Sequence, residues 1–433
     1  MPRETDAPDP AFLPPAADRP RWRLPRGLSA LHHRNFRLFF AGQLVSLTGT
    51  WMQQVGQAWL ILQLTNDPLA LGFVAAAQFG PSLVLGLFAG LLADAVSKRA
   101  ALLWTNLLPA VLALILGLLV ATGEVLPWHV YVLAFALGII NAFDMPIRQA
   151  FVVEMVGRRD VANAVALNSA VFNLTRILGP AMAGVLIAII GLAPLFLFNA
   201  ASYLAAVAGL LLMRPGELIA PTERALLERH WRSVVDRLAE GLRYVWREPR
   251  IRLPILVLAV VSTFTLNFQV LIPVYARDVL GGDADTFGFL LAASGVGSLS
   301  GAMMIAFGMR PTMRLLLGGV VVLGLAMTAL GLTAWLPIGM VLMFASGWGV
   351  IALAATTNTT IQLAVPDILR GRVMSVYTTV FAGSVPFGGI FAGAVAGTFG
   401  ASVALAAGGL IALATAAVAA ASWWRNPARG AAH

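Results

Sequence analysis

The sequence predicts an all-α integral membrane protein, and three observations support this fold class. Of its 433 residues, 59% are hydrophobic and only 11% are charged, whereas a soluble domain carries about 25% charged residues. Apolar runs long enough to cross a bilayer, which takes about 20 residues, recur along the whole chain. These runs are continuous rather than alternating, so the spanning elements are predicted to be helices and not strands of a barrel.

The hydropathy pattern predicts twelve transmembrane helices. We expect them at residues 36–64, 69–93, 100–122, 128–153, 162–190, 192–213, 251–277, 284–308, 312–333, 336–364, 369–397 and 400–424. Because twelve is an even number, both termini are predicted to lie on the same side of the membrane.

The distribution of charge predicts which side that is. Arginines and the single lysine, Lys98, cluster in the N-terminal tail and in every second loop. The alternate loops carry Asp67, Glu124, Asp278, Asp283 and Asp285, with Arg277 as their one cation. Basic short loops stay in the cytoplasm, so both termini are predicted to be cytoplasmic in a plasma (inner) membrane protein. The formal net charge of +9 therefore reflects topology, and no nucleic-acid partner is expected.

The chain divides into five predicted regions. Residues 1–34 are rich in Pro, Ala and Arg without an apolar core, which indicates a disordered cytoplasmic tail and not a signal peptide. Residues 35–213 and 251–424 form two six-helix halves, 214–250 form a cytoplasmic linker, and 425–433 form a short tail. The linker is predicted to contain an amphipathic helix, either on the membrane surface or packed on the bundle; its apolar face comprises Leu227, Trp231, Val234, Val235, Leu238, Leu242 and Val245.

Two weak repeats relate the halves. Residues 69–80 resemble 285–297, with Gly72 matching Gly288, and residues 178–186 resemble 384–393, with Pro180 matching Pro386. The offsets, 288 − 72 = 216 and 386 − 180 = 206, are similar. Such repeats predict a pseudo-twofold axis along the membrane normal, with chance similarity among apolar helices as the alternative.

The loop "GLLADAVSKR" at residues 90–99 resembles the signature that follows the second helix in the major facilitator superfamily. Gly90, Leu92, Ala93, Asp94, Lys98 and Arg99 match the signature, whereas Ala95 and Ser97 depart from its usual Arg and Gly. The resemblance covers about residues 30–425 and implies the major facilitator fold with alternating access. It also implies a conformational-switch role for Gly90, Asp94, Lys98 and Arg99.

Further stretches resemble an exporter group of that superfamily, which includes enterobactin-exporter-like and drug-efflux-like proteins. These stretches are 34–72, "MPIRQAFVVEMV" and "ANAVALNSAVFN". In the fifth helix, "RILGPAMAG" resembles the Gly-Pro signature of antiporters in the superfamily, which assigns Gly179, Pro180 and Gly184 to the conformational switch. The alternative is a proline kink with no bearing on transport direction.

The fourth predicted helix contains an unusual pair of charges. Asp144 and Arg148 lie one turn apart around Pro146, and an unpaired charge at that depth costs about 2.5–3.5 kcal/mol. We expect a proton-coupling site in which Asp144 is protonated, Arg148 is its partner and Glu154 is a second carboxylate that could receive the guanidinium. The alternative is a permanently ionised pair that fixes helix register.

Polar side chains within other predicted helices are candidates for substrate binding. Arg176 could bind an anionic substrate group or pair with Asp144 from the neighbouring helix. The uncharged candidates are Gln53, Gln57, Asn173, Asn267, Gln269, Asn358 and Tyr377. Interhelical hydrogen bonding is the alternative explanation for these groups.

These features together predict a secondary active transporter, a proton-coupled exporter of a bulky amphipathic small molecule such as a siderophore or drug. An uptake symporter or facilitator on the same fold is the nearest alternative, and a lipid scramblase or membrane-embedded enzyme is a remote one. The sequence has no cysteine and no phosphate-binding G-x-x-x-x-G-K-[ST] motif, so no metal, cofactor or catalytic residue is predicted. The expected partners are a small-molecule substrate, a proton and the lipid bilayer, and the expected state is a monomer.

Overall fold

The computed structural model describes residues 26–219 and 231–425, without the side chains of residues 26–27, 87–95, 231–235 and 237. The described part is helical and contains no strand. Residues 1–25 of the predicted N-terminal tail, residues 426–433 of the predicted C-terminal tail, and Leu227 lie outside the described residues.

Thirteen α-helices and two short 3₁₀ segments make up the described chain. The 3₁₀ segments are Arg26–His32 and Pro215–Glu217. The α-helices are α1 (Arg34–Thr65), α2 (Pro68–Ala95), α3 (Lys98–Thr122), α4 (Pro127–Ile190), α5 (Leu192–Leu211), α6 (Trp231–Arg247), α7 (Pro249–Phe264), α8 (Phe268–Asp278), α9 (Ala284–Ala306), α10 (Met313–Gly331), α11 (Leu336–Ala364), α12 (Asp367–Phe399) and α13 (Ala401–Trp424).

These helices form twelve membrane spans, which confirms the predicted fold class. Ten helical stretches in the described part are long and apolar enough to cross a membrane. One of them, α4, contains two spans, because Gly157 adopts φ +70° and reverses the chain between residues 127–156 and 158–190. We refer to these as the first and second arms of α4. The twelfth span is α1, whose 32 residues include five glutamines, three threonines and one serine.

The seventh span differs from the continuous helix predicted at 251–277. It is interrupted at residues 265–267, between α7 and α8. The Thr265 hydroxyl donates to the Gly408 carbonyl at 2.8 Å, and the Asn267 amide donates to the Thr263 carbonyl at 2.8 Å. Such side-chain bonds to the backbone compete with the regular helical ladder, which explains the interruption.

The bundle has two chemically distinct ends. The end that carries Lys98, Arg158, Arg314 and Arg372 is called the basic face here, and the end that carries Asp67, Glu124, Asp278 and Asp283 is called the acidic face.

The two halves meet along two equivalent seams. Gly72 of α2 lies against α12, where an added Cβ would come within 2.5 Å of the Gly389 carbonyl oxygen. Gly288 of α9 lies against the second arm of α4, where an added Cβ would overlap the Pro180 carbonyl oxygen. The two glycines matched in the sequence repeat thus occupy equivalent contacts, as a pseudo-twofold axis requires.

The hydrophobic core is shared between the halves near the acidic face and divided near the basic face. The largest cluster includes Trp59 and Leu71 from the first half together with Tyr275 and Phe287 from the second. Near the basic face each half has its own cluster, one around Phe36 and Phe151 and the other around Val245, Ile251 and Val373. The halves are therefore packed together at the acidic face and part toward the basic face.

A short helix braces each half at its basic end. The 3₁₀ segment Arg26–His32 precedes α1 and contacts the turn between the arms of α4, where the Ser29 hydroxyl donates to Asp160 at 2.8 Å. The linker helix α6 precedes α7 and contacts the start of α12, where Glu240 forms an ion pair with Arg372.

Of the two positions predicted for the linker helix, the structure supports packing on the bundle over its described side chains. Val245 is buried in the cluster of the second half, and Gly241 abuts the Arg372 carbonyl. Leu242 and Trp246, on the other side, remain exposed. The side chains of Trp231, Val234 and Val235 lie outside the described part.

Candidate functional site

The first arm of α4 holds the predicted ion pair within the membrane. Arg148 donates to one carboxylate oxygen of Asp144 from Nε at 2.8 Å and from Nη2 at 2.5 Å. The helix provides this contact because residues four apart face the same side. The Asp144 side chain is 14% exposed and that of Arg148 is 24% exposed, so both groups are largely withdrawn from solvent.

Residues from three other helices complete this cluster. Thr105 of α3 donates to the second oxygen of Asp144 at 2.6 Å. The Phe39 ring of α1 lies 5.9 Å from the guanidinium carbon of Arg148, a distance at which a cation is attracted to an aromatic face. Tyr203 of α5 interacts electrostatically with both charges and accepts a hydrogen bond from Thr50 at 3.1 Å. We call Asp144, Arg148 and Thr105 the carboxylate cluster.

Sequence reasoning missed Thr105, Phe39 and Tyr203. Thr105 had a signal, because Thr105 and Asn106 are two adjacent polar residues in an otherwise apolar stretch of α3. Its pairing with Asp144 spans 39 positions, however, and depends on how α3 packs against α4.

One nitrogen of Arg148 has no partner in the described part of the chain. Nη1 is buried and makes no hydrogen bond there, although a guanidinium has five donors. The cluster therefore retains one buried donor nitrogen that no described residue uses.

Glu154 pairs with Lys98 and not with Arg148, the partner considered from the sequence. Lys98, at the start of α3, donates to Glu154 at 2.7 Å, and both side chains are largely buried. The Glu154 carbonyl also accepts from the backbone of Ile219 in the linker at 2.8 Å. Glu154 thus joins α3, α4 and the linker at the basic face, and its part in proton coupling stays a prediction.

The signature loop is only partly described. Arg99 donates to the carbonyls of Leu210 at 2.9 Å and Leu211 at 3.1 Å, so it caps the end of α5, where a cation is favourable. Gly90 and Asp94 belong to α2, in the stretch 87–95 whose side-chain environment lies outside the described part.

The Gly-Pro stretch lies between two neighbouring helices. An added Cβ on Gly179 would overlap Trp51 of α1, and one on Gly184 would come within 2.7 Å of the Asp285 Cα in α9. The Pro180 carbonyl lies against Gly288. Pro180 and Gly184 therefore belong to one of the two seams, where movement of one half against the other would have to pass, whereas Gly179 packs against α1 within the first half.

Arg176 is a cation without a partner in the described chain. It is partly buried, and no described carboxylate or acceptor lies within reach of its guanidinium. Its backbone oxygen lies 3.3 Å from the Cβ position of Gly295 in α9. At 1.5 Å per residue it is ~28 Å from Gly157 and ~21 Å from Ile190, so it lies near the middle of its span. Asp144 pairs with Arg148 and Thr105 instead of with Arg176.

Two of the predicted substrate-binding residues share a cavity. Gln57 of α1 and Gln269 of α8 line a cavity of about 40 Å³ with Gln54 and Gln78. Gln57 is only 4% exposed, and its amide nitrogen has no described hydrogen-bond partner. We call Gln54, Gln57, Gln78 and Gln269 the glutamine cavity; it joins the two halves.

Two more of the predicted residues lie together in the second half. The Tyr377 hydroxyl of α12 interacts with Asn358 of α11, and its oxygen is 3.4 Å from the Ala354 carbonyl oxygen. Asn358 also accepts from Gln362 at 2.5 Å on the exposed side of α11.

The remaining three predicted substrate-binding residues form hydrogen bonds within the protein. Gln53 accepts from Asn199 of α5 at 2.5 Å and is buried inside the first half. The Asn173 amide donates to the Ser169 carbonyl within α4 at 2.8 Å. The Asn267 amide, just beyond the end of α7, donates to the Thr263 carbonyl at 2.8 Å. For Gln53 the interhelical alternative therefore fits the geometry better than substrate contact.

This architecture and its buried charges define a multi-pass membrane transporter of the major facilitator type. Residues 26–428 match the family described as "Transmembrane secretion effector". The chain belongs to this major facilitator family, whose members are transporters and not enzymes.

Two characterised relatives cover most of the chain. The "Multidrug efflux pump Tap" of Mycolicibacterium fortuitum is 31% identical over 373 residues, which is 84% of this chain and 89% of the relative. The "Staphyloferrin A transporter" of Staphylococcus aureus is 26% identical over 375 residues, 84% of this chain and 90% of that protein.

Solved structures share the fold at low sequence identity. A bacterial homologue of the human lysosomal transporter Spinster, in an inward-facing and unoccupied conformation, aligns with a TM-score of 0.70 at 15% identity over 92% of this chain and 97% of that one. The nucleoside transporter NupG aligns with a TM-score of 0.65 at 13% identity, over 92% of this chain and 99% of that one.

Proposed function

We propose that this protein is a proton-coupled exporter of a bulky amphipathic small molecule, such as a siderophore or drug, and that it works by alternating access. The observation that carries the proposal is the carboxylate cluster. An ion pair with a hydroxyl donor from a second helix lies inside a span, where charges are costly and mark ion pathways.

Protonation of Asp144 is the proposed coupling step. A proton from the outer side forms an O–H bond on the carboxylate, which loses its charge. Arg148 then remains as a cation without its counter-ion, at a cost of about 2.5–3.5 kcal/mol at membrane depth. Release of the proton to the cytoplasm restores the pair. The two protonation states thus favour different packings of the first half, which couples proton entry to substrate exit.

The substrate is proposed to bind between the halves. Arg176 offers a cation that has no partner in the described chain, and the glutamine cavity and the Asn358–Tyr377 pair offer uncharged polar groups. Amides, aromatic rings and one cation suit an amphipathic solute that carries an anionic or polar group. The names of the relatives, a multidrug efflux pump and a staphyloferrin transporter, support this substrate class.

The proposed orientation places the basic face in the cytoplasm of a plasma-membrane protein, with both termini inside, because short basic loops stay cytoplasmic. The shared core at the acidic face then corresponds to a conformation closed to the outside. Gly179, Pro180 and Gly184 are proposed as the moving contact, and Gly90, Asp94, Lys98 and Arg99 as the switch at the basic face. The proposed unit is a monomer.

Transport by inverted membrane vesicles tests the proposal. A pH gradient, acidic inside, should drive uptake of at least one compound from a panel with a lipophilic cationic dye, a macrolide, a tetracycline and a carboxylate siderophore. A sodium gradient of equal size should not drive it. Uptake that needs sodium, or that moves with the proton instead of against it, would contradict proton-coupled export.

A further inference from the structure

The membrane-facing surface of the second half contains a groove that none of the transport steps uses. It lies between α10 and α13, has a volume of about 450 Å³, and is lined by Arg314, Leu317, Gly318, Val321, Leu413, Ala416, Ala417, Ala420, Trp423 and Trp424. This volume is in the range of small-molecule sites, about 300–1,000 Å³.

The groove begins at the basic face and runs into the membrane. Arg314 is the second residue of α10, and Trp424 is the last residue of α13. At 1.5 Å per residue the groove extends ~10 Å along α10 to Val321 and ~16 Å along α13 to Leu413. The hydrocarbon core is about 30 Å thick, so this depth is close to that of one leaflet.

Its chemistry changes along its length. Small residues, Gly318, Ala416 and Ala417, form the hollow inside the membrane, and a Cβ added at Gly318 would meet no atom within 4 Å. At the open end are the exposed side chains of Arg314 and Trp424. Indole rings favour the headgroup level of a bilayer.

The charge around the open end is positive and uncompensated. From Thr286 to His433 the sequence contains one acidic residue, Asp367, and Asp367 pairs with Arg370 on α12. Among the described residues, neither Arg314 nor Arg310 nor Arg425 has a carboxylate partner. A ligand that complements this end carries a negative group.

We propose that the groove binds an anionic phospholipid from the leaflet at the basic face. One acyl chain fills the apolar part, and the phosphate lies at Arg314 between the tryptophans and the loop that contains Arg310. An apolar chain with an anionic head at its end matches both the depth and the charge of the groove.

Thermal unfolding of the purified full-length protein in a neutral detergent tests this site. Phosphatidylglycerol should raise the melting temperature in a saturable way, whereas phosphatidylcholine with the same acyl chains should raise it little. Arg314→Gln should increase the half-saturating concentration of phosphatidylglycerol about fivefold, since one basic residue near an anionic surface contributes about that factor. Arg158→Gln, an exposed arginine at the basic face of the first half, is the matched control and should leave it unchanged.

A second pair of variants tests the apolar part. Gly318→Trp should fill the groove and remove the stabilisation by phosphatidylglycerol, whereas Val341→Trp, exposed on α11 and not part of the groove lining, should retain it. Equal stabilisation by the two lipids, equal loss in Arg314→Gln and Arg158→Gln, or unchanged lipid response in Gly318→Trp would each overturn the proposal. An equal rise in melting temperature with inorganic phosphate alone would also overturn the proposal, since the site would then bind a small anion and not a lipid.

Discussion

The first half of the molecule carries Asp144, Arg148 and Arg176 within its spans, whereas the second half keeps its acidic and basic residues near the ends of its spans. Both halves nevertheless share the same six-span arrangement, the same glycine contacts at the seams and a bracing helix at the basic end. In the proposed mechanism, rocking of the halves thus requires only the shared scaffold. The buried charges are an addition to one half, and the coupling proposed above is accordingly confined to that half.

The glycine contacts at the seams, which both halves share, predict the largest effect on transport. Gly288→Val should reduce transport at least about tenfold, because its branched side chain would overlap the Pro180 carbonyl and overpacking costs about 1–3 kcal/mol. Gly72→Val, at the equivalent contact with Gly389, should have a similar effect. Initial rates of substrate flux in proteoliposomes measure both.

Gly80→Val is the control for these variants, since a Cβ at Gly80 would meet no atom within 4 Å. Unimpaired transport in Gly288→Val with loss in Gly72→Val would show that the two seams are not equivalent.

Much of this scaffold could be predicted from the sequence, because continuous apolar runs determine where helices cross the membrane. The i, i+4 spacing also predicted the Asp144–Arg148 contact, since both residues belong to one helix. The partners that come from other helices could not be predicted. Lys98 with Glu154, Asn199 with Gln53 and Thr105 with Asp144 all depend on the rotation and depth of neighbouring helices. The interruption at 265–267 also depends on a distant contact, from Thr265 to Gly408.

Arg176, the cation of the first half that has no partner in the described chain, predicts the next largest effect on transport. Arg176→Gln should weaken the apparent affinity for an anionic substrate about 10- to 100-fold, the range for a hydrogen bond to a charged group, and change that for a neutral substrate less than about twofold. The KM values of the two substrates in vesicle transport measure the difference. Equal loss for both would indicate that Arg176 has a structural role.

The hydroxyl partner of Asp144 predicts a smaller effect. Thr105→Val keeps the shape of the side chain but removes the donor at 2.6 Å, so gradient-driven transport should fall about three- to tenfold. Thr328→Val in α10 is the matched control, because Thr328 donates only to its own helix, at the Gly324 carbonyl. Equal losses of transport in Thr105→Val and Thr328→Val would contradict the claim that coupling is confined to the first half.

The bracing contacts at the basic end predict the smallest effect, on stability and its pH dependence. Hydrogen bonds from His33 and then from Ser29 hold the pKa of Asp160 below its usual value of 3.8. A lowered pKa in the folded state means that this contribution is present above pH 3.8 and is lost as the pH falls through the lower folded value.

Asp160→Asn should therefore destabilise the protein by less than about 1 kcal/mol at pH 7, and this effect should fade as the pH falls below 3.8. Melting temperatures across this range measure it, with Glu240→Gln as the equivalent change in the second half. A loss of melting temperature in Asp160→Asn that grows toward low pH would contradict a stabilising contact of the ionised Asp160 carboxylate.

The most direct test of the central claim is to separate coupling from exchange in Asp144→Asn. We predict that this variant loses accumulation driven by a pH gradient but still exchanges labelled for unlabelled substrate across proteoliposomes without a gradient, because the seams and the substrate residues are unchanged. Full gradient-driven accumulation by Asp144→Asn would contradict the claim that this buried carboxylate couples the proton to transport.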